Sequence, residues 1–423
     1  MVACLGLLGL LLARAASADD TTTPPAPPQS PPQPQGLARW FDPDTAPFIP
    51  VPEIDIDPVT GTTLGVIPTK LVTNEHGEIT RIYAPDIIYS EYFGWGARAR
   101  VFAYPSADTQ WSLVGGAKQY VESEFDGQYQ AGRLRNDRWS LSLQAVYDRS
   151  GTPRFYGIGN ESQSHDVSVY TEQQVFVTVQ LGWNITHEWQ LAWRVMPREV
   201  TITPGSLHGF PSTTERFPGL LGIGTTHEFL NRLLLAYDTR DDLTVPTHGT
   251  ALVIYGGVAS ENGGISDSLF SEAGIDWRSY WTPQPSLTVA AHSSLRYMPT
   301  THETPFWALS SIGGDQSIIG GDQPLRGYGE GRFYDRNSFS ASLELRQRVA
   351  TFDAITTHIE MQLTPFVDTG SVFRHPSTWP LTGLHTAVGA GIRAVARPFV
   401  VGYLDVGVGT EGVAVFTGIN YPF

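Results

Sequence analysis

The sequence predicts an all-β chain: a transmembrane antiparallel β-barrel of about sixteen strands, with a long extracellular loop folded into the lumen. Three observations carry that expectation. Stretches of about ten residues alternate apolar and polar side chains over most of the chain, which is the period of a strand and not of a helix. After the first dozen positions no run of 18 apolar residues occurs, so any membrane crossing has to be made by strands. Residues 320–335 hold five glycines between alternating segments, too many for a helix or a central strand, and interleave them with arginine, acid and aromatic residues. Such a stretch reads as a loop lodged in a polar cavity.

The chain opens with an apolar run, residues 2–12, followed by the small-residue site Ala16-Ser17-Ala18, the pattern of a secretory signal peptide over residues 1–18. The only cysteine, Cys4, lies inside it, so the mature protein offers no thiol for a disulfide, a nucleophile or a metal. Residues 19–61 form a proline-rich disordered linker. Residues 62–92 contain β-like pieces interrupted by Pro68 and read as a short periplasmic lead-in.

From residue 93 to residue 423 the texture is that of a transmembrane β-barrel. Val175, Val177, Val179, Leu181 and Trp183 are apolar at every second position. Trp189, Leu191, Trp193 and Val195 do the same against Glu188, Gln190 and Arg194. Farther on, Phe339, Ala341, Leu343 and Leu345 oppose Glu344, Arg346 and Arg348, and Ile359, Met361, Leu363 and Val367 oppose Glu360 and Gln362. The last segment sets Val413, Val415, Ile419, Tyr421 and Phe423 on the outward face. Sixteen such segments are expected, centred between residues 99 and 418, one of them near residue 309. The charges Glu344, Arg346 and Glu360 suit a wet lumen; the uncharged face suits lipid, and closure would leave no backbone group unpaired there.

Net charge is -15, and 25 of the 27 basic residues are arginine, with Lys70 and Lys118 the only lysines. No basic patch stands out, which argues against a nucleic-acid partner. His187-Glu188, His227-Glu228 and His302-Glu303 each start like a zinc-protease motif, yet Leu191, Asn231 and Phe306 stand where a second histidine would be needed. No G-x-S-x-G elbow or P-loop occurs, so neither catalysis nor a cofactor or metal is expected. Gly313-Gly314-Asp315-Gln316 recurs as Gly320-Gly321-Asp322-Gln323, a local duplication that lengthens the loop.

Five stretches remain: Leu325-Arg326-Gly327-Tyr328, Phe366-Val367-Asp368-Thr369-Gly370, Tyr237-Asp238-Thr239-Arg240-Asp241-Asp242, Arg154-Phe155-Tyr156-Gly157-Ile158-Gly159-Asn160, and a terminal aromatic, Phe423. Together they resemble the bacterial surface antigen superfamily, whose members include the barrel-assembly insertase and the two-partner secretion transporters. The resemblance covers residues 93–423. It implies that Leu325, Arg326, Gly327 and Tyr328 form the motif of a sixth extracellular loop inside the barrel. Phe366, Asp368 and Gly370 would be the matching strand motif, and Arg326 would pair with Asp368. It implies transport or assembly of a polypeptide or lipid in the outer membrane, with membrane lipids, lipopolysaccharide among them, as surroundings. Many relatives carry POTRA domains that residues 36–86 leave no room for, so a POTRA-less member is expected. The client and any homo-oligomer are not disclosed; a passive or loop-plugged channel is the competing role.

Overall fold

The alternating segments become one antiparallel sheet of 20 strands in the computed structural model, with two further strands in a separate ribbon. The structure describes residues 49–57, 61–75, 79–264, 267–301, 303–354, 357–375, 383–396, 400–419, 421 and 423. The signal peptide expected over residues 1–18 and most of the linker expected over 19–61 lie outside the described residues.

The first strands are β1 (Ile49–Asp57), β2 (Gly61–Thr73), β3 (Ile79–Tyr83), β4 (Asp86–Ser90), β5 (Gly94–Ala103), β6 (Gln110–Lys118), β7 (Ser123–Ala131) and β8 (Trp139–Ser150). Next come β9 (Arg154–Phe155), β10 (Ser168–Asn184), β11 (Trp189–Pro204), β12 (Gly224–Asp238), β13 (Gly249–Ser260), β14 (Ser268–Gln284) and β15 (Leu287–Thr301). Two short strands, β16 (Ser310–Ile312) and β17 (Phe333–Asp335), make the separate ribbon. The last are β18 (Asn337–Ala354), β19 (Thr357–Phe373), β20 (His385–Ala396), β21 (Val400–Gly409) and β22 (Gly412–Ile419). Consecutive long strands pair throughout, which is the order of an up-and-down meander. Strands β7, β8, β10 to β12 and β22 line one common space, so the sheet wraps around it. Among the described residues β22 pairs only with β21.

Side-chain parity follows the period-two rule. On β18, Leu343 and Leu345 are exposed while Glu344 and Arg346 are buried; on β19, Leu363 and Val367 are exposed while Thr364 and Asp368 are buried. Reversing the usual order of a soluble protein, with apolar groups outside and charges inside, fits a sheet whose outer solvent is hydrocarbon. At the rim made by short turns, Trp139 lies directly opposite Trp183, and Trp189 meets Tyr237 with ring centroids 4.8 Å apart. This is the aromatic belt of a membrane interface.

Four departures from the sequence reading are informative. Residues 62–92, expected as a lead-in ahead of the barrel, and residues 49–57, expected within a disordered linker, instead form strands of the main sheet, since β1 pairs with β2, β2 pairs with β3 and β4, and both of these pair with β5. The prolines of residues 62–92 sit where the ladder is already interrupted. The β2 register runs over Thr63 to Val66 and again over Lys70 to Thr73, leaving Pro68 in the gap between β4 and β3. The strand count therefore exceeds sixteen.

The strand expected near residue 309 is no wall strand. Phe306, Trp307 and Ala308 form a 3-10 turn that packs on Phe155, Tyr170, Phe270 and Met298 in an apolar core within the sheet. Alternation reports which residues avoid water, and here they avoid it against protein and not lipid. Finally, Tyr421 and Phe423, expected to face outward, turn inward. Phe423 is buried, stacks on His292 at 5.0 Å, and Tyr421 lies 3.6 Å under the Arg346 guanidinium. Tyr421 gains a cation-π contact there, and Phe423 packs with Tyr280 and Ala290.

Candidate functional site: a charge network that holds the inner loop

The β16–β17 ribbon closes the base of a loop whose own hydrogen bonds give it shape. Gly313 N donates to Gln323 O at 3.0 Å, Gly314 N to Tyr328 O at 3.0 Å, and Leu325 N to Gly314 O at 3.0 Å. Folded this way, the loop presents Arg326 to the inner faces of β18 to β21.

Arg326 is wholly enclosed. Its Nε donates to Asp368 Oδ2 at 2.8 Å and its Nη2 to Asp368 Oδ1 at 2.9 Å, a two-pronged match of guanidinium to carboxylate. Its backbone N also donates to Asp368 Oδ2 at 3.0 Å. The remaining nitrogen, Nη1, reaches Glu344 Oε2 at 2.7 Å and Asp405 Oδ2 at 3.0 Å. The guanidinium carbon sits 3.6 Å above the Phe366 ring. Two more arginines complete the cluster: Arg346 Nε donates to Glu344 Oε1 at 2.9 Å, and Arg393 Nη2 donates to Asp405 Oδ2 at 2.9 Å and Glu344 Oε2 at 3.2 Å. Three guanidiniums thus face three carboxylates, all at most 2% exposed. Balance is what makes this tolerable, since a buried ion is costly unless paired and hydrogen-bonded.

The motif neighbours of Arg326 pack rather than pair. Leu325 and Tyr328 join Ile312, Phe333, Val372 and Ala387 in a small apolar core, and the Tyr328 hydroxyl lies 2.9 Å from Thr410 Oγ1. Gly327 lies against β21 so closely that an added Cβ would stand 2.6 Å from Gly409 N. Its partner in β21, Gly407, leaves even less room: a Cβ there would be 1.7 Å from Arg326 O. Gly370 lies under Ile312, with Phe339 O 2.8 Å from where its Cβ would be. Glu360 is buried too, but its register partners are Thr351 and Val395, away from the cluster.

Two members, Arg393 and Asp405, were not singled out in the sequence. The signal was there: each is the lone charge in an otherwise apolar and small-residue strand. An isolated charge in a membrane strand asks for a partner, and parity put both on the lumen face. The loop has a second anchor. Arg332 lies 4.4 Å over Tyr156 and 4.3 Å over Phe333, donates to Glu411 Oε1 at 2.6 Å, and reaches Ser162 O at 2.7 Å. The stretch 154–160 joins there, with Asn160 Oδ1 accepting from Val372 N at 3.1 Å. The segment 237–242 lies elsewhere, in the turn between β12 and β13, where Arg240 pairs with Asp238 at 2.7 Å. The aspartates of the duplicated tetrad diverge: Asp315 accepts from the Tyr403 hydroxyl and Asp322 from Ser311.

Glu330 faces the lumen beside these acids. Water reaches its carboxylate, but enclosure by the surrounding protein, with Asp322 and Asp315 nearby, raises its pKa from 4.5 to about 7. A carboxyl raised on folding favours the folded loop most below its unfolded pKa, and that contribution is lost as pH rises through about 7. The unfolding temperature is therefore expected to rise between pH 8 and pH 6, and Glu330→Gln to flatten that rise; an identical pH response in the variant would rule the group out.

An all-β meander with lipid-compatible outer strands, a charged interior and a loop salt-bridged to the inner wall defines an outer-membrane β-barrel. The Omp85 superfamily domain matches residues 108–400, and the chain belongs to that superfamily. BamA from Haemophilus ducreyi lacking POTRA domains 1-3 is similar in structure, with a TM-score of 0.51 at 13% identity over 88% of this chain and 74% of that one. CdiB from Escherichia coli gives 0.46 at 9% identity, covering 88% and 61% of the two chains. CdiB from Acinetobacter baumannii gives 0.43 at 11%, covering 88% and 59%. A search of curated proteins finds no match. Family membership places the protein in the outer membrane of Gram-negative bacteria.

Proposed function

We propose that this barrel transports or assembles a client, passing or inserting a polypeptide or a lipid at the outer membrane, and that the inner loop acts as its internal strut. The observation that carries this reading is the grip of Arg326 on carboxylates from three strands, β18, β19 and β21. A loop that only narrowed a pore would need to fill space; it would have no need to tie three strands together. Held so, β18 to β21 form a stiff panel, while β22 beyond it has β21 as its single partner among the described residues. That leaves the line between the last and first strands as the place where the wall gives way, the seam through which a client would engage. The outer apolar face sits among membrane lipids, lipopolysaccharide included, and the chemistry asked of the protein is mechanical, not catalytic. A loop-plugged channel is the competing role, favoured by the lumen cavity of about 1410 Å³ beside the loop.

Planar-bilayer recording separates the two. The strut reading expects closed or flickering currents from the intact barrel, and a large rise in conductance when residues 313–335 are replaced by a short linker, with folding verified by heat-modified gel mobility. Large, stable openings from the intact protein would favour the channel instead. Depletion in the host followed by outer-membrane proteomics tests the assembly role, and unchanged barrel levels would remove it.

A further inference from the structure

The lumen cavity has two unlike walls side by side. Arg194 on β11 stands directly opposite Arg232 on β12, both on the inner face. Like charges opposite one another on neighbouring strands repel. Arg232 is answered, with Nε and Nη2 on Glu272 Oε1 at 2.7 and 2.6 Å and Nη1 on Ile319 O at 2.8 Å. Glu272 is shared with Arg296, whose Nη2 lies 3.0 Å from Oε2. Arg194 has no such answer: Nε donates to Gln180 Oε1 at 2.9 Å, and among the described residues no carboxylate pairs with it. Of these three guanidiniums Arg194 alone has no carboxylate hydrogen-bonded to it among the described residues, and it lines the cavity. The nearest other acid on these strands, Glu228, lies opposite Arg198 and leaves Oε2 without a partner.

Two residues farther along the same pair of strands the chemistry changes. Met196 stands opposite Leu230, and both continue into the apolar core with Phe270 and Trp307. Two strand residues advance about 7 Å, the distance from an acidic head group to the first carbons of its chain. A cation left over by its neighbours, lining a cavity, and adjoining an aliphatic and aromatic wall matches an anionic amphiphile better than a bare ion or a neutral lipid. Pockets of this kind are mostly apolar with a few placed polar groups. We propose that the lumen binds an anionic amphiphile, its phosphate or carboxylate on Arg194 beside Arg232 and its chain along Met196, Leu230, Phe270 and Trp307. This stands independently of the strut role, since none of these residues belongs to the Arg326 cluster.

The probe is 12-bromododecanoate, whose bromine quenches a tryptophan it touches, added to the protein in an uncharged detergent. Wild-type protein is expected to lose emission saturably beyond the loss in Trp307→Phe, the difference isolating Trp307 from the lipid-facing tryptophans. Arg194→Gln should raise the half-saturation concentration about tenfold, the loss of a hydrogen bond to a charged group. Arg194→Lys should keep most of the affinity, and heat-modified mobility should show both variants folded. Dodecyl phosphate should displace the probe, whereas inorganic phosphate at the same concentration should not. Equal quenching in Trp307→Phe, or an unchanged half-saturation in folded Arg194→Gln, would overturn the proposal. Displacement by inorganic phosphate as effective as by dodecyl phosphate would overturn it too, reducing the site to one for free anions.

Discussion

Asp368→Ala is expected to destabilise the folded barrel by about 3–5 kcal/mol, the range for removing one partner of a buried pair. The loss is large because Arg326 would keep its enclosed charge while losing two side-chain hydrogen bonds and the acceptor of its own backbone N–H. Urea unfolding in detergent, followed by heat-modified mobility, measures it. Arg326→Ala should cost a similar amount, leaving Asp368 bare and Glu344 and Asp405 each short of one cation. Arg326→Lys should fall between, since an ammonium keeps the charge but cannot present the planar fork to Asp368. Exchanging the two charges should not rescue either single change. An aspartate at position 326 would face Glu344 and Asp405, which approach the present guanidinium at 2.7 and 3.0 Å. Unchanged stability in Asp368→Ala would show that the cluster does not hold the loop.

Gly407→Ala should have the second largest effect, through shape alone. The new methyl would have to occupy a point 1.7 Å from the Arg326 carbonyl oxygen, a backbone atom with nowhere to rotate. Either β21 or the loop must shift, and the loop, joined to the wall by side-chain contacts, is the softer of the two. Overpacking of this kind typically costs about 1–3 kcal/mol. Trypsin gives a clean readout because Arg326 and Arg332 are both enclosed in the native protein. New cleavage after either residue in Gly407→Ala, absent in wild type, is the expected result; full protection in the variant would mean the contact relaxes without moving the loop.

The two faces of the wall were legible because hydrocarbon and water sort residues by a period of two, as Leu343 against Glu344 and Val367 against Asp368 illustrate. What sorting cannot reveal is the medium on each side. Phe306 and Trp307 avoid water inside the lumen, and Tyr421 and Phe423 swing in to cover Arg346; one-dimensional alternation gives all four the look of lipid-facing groups. The prolines at 50, 52 and 68 discouraged a strand reading of residues 49–90. A proline removes one donor, and β1 has β2 as its only partner among the described residues, so the donors missing at Pro50 and Pro52 can face its unpaired edge, while Pro68 falls in the gap between β4 and β3. The charge cluster was legible in part. Arg326, Glu344, Arg346 and Asp368 stood out in rich local patterns, whereas Arg393 and Asp405 look like stray charges until β20 and β21 are seen side by side in the wall.

Because the chain's single cysteine, Cys4, lies far from the loop in sequence, accessibility can be read one position at a time with the parent protein as the control. His165, in the long connection between β8 and β10, is exposed, while Leu325, beside Arg326 in the inner loop, is fully buried. Cysteine variants at these two positions, treated on intact cells with a membrane-impermeant maleimide, test whether the loop is seated in the barrel. Fast labelling at 165 and none at 325 until the protein is unfolded is the predicted result. Equal, rapid labelling at both positions in a folded barrel would contradict it.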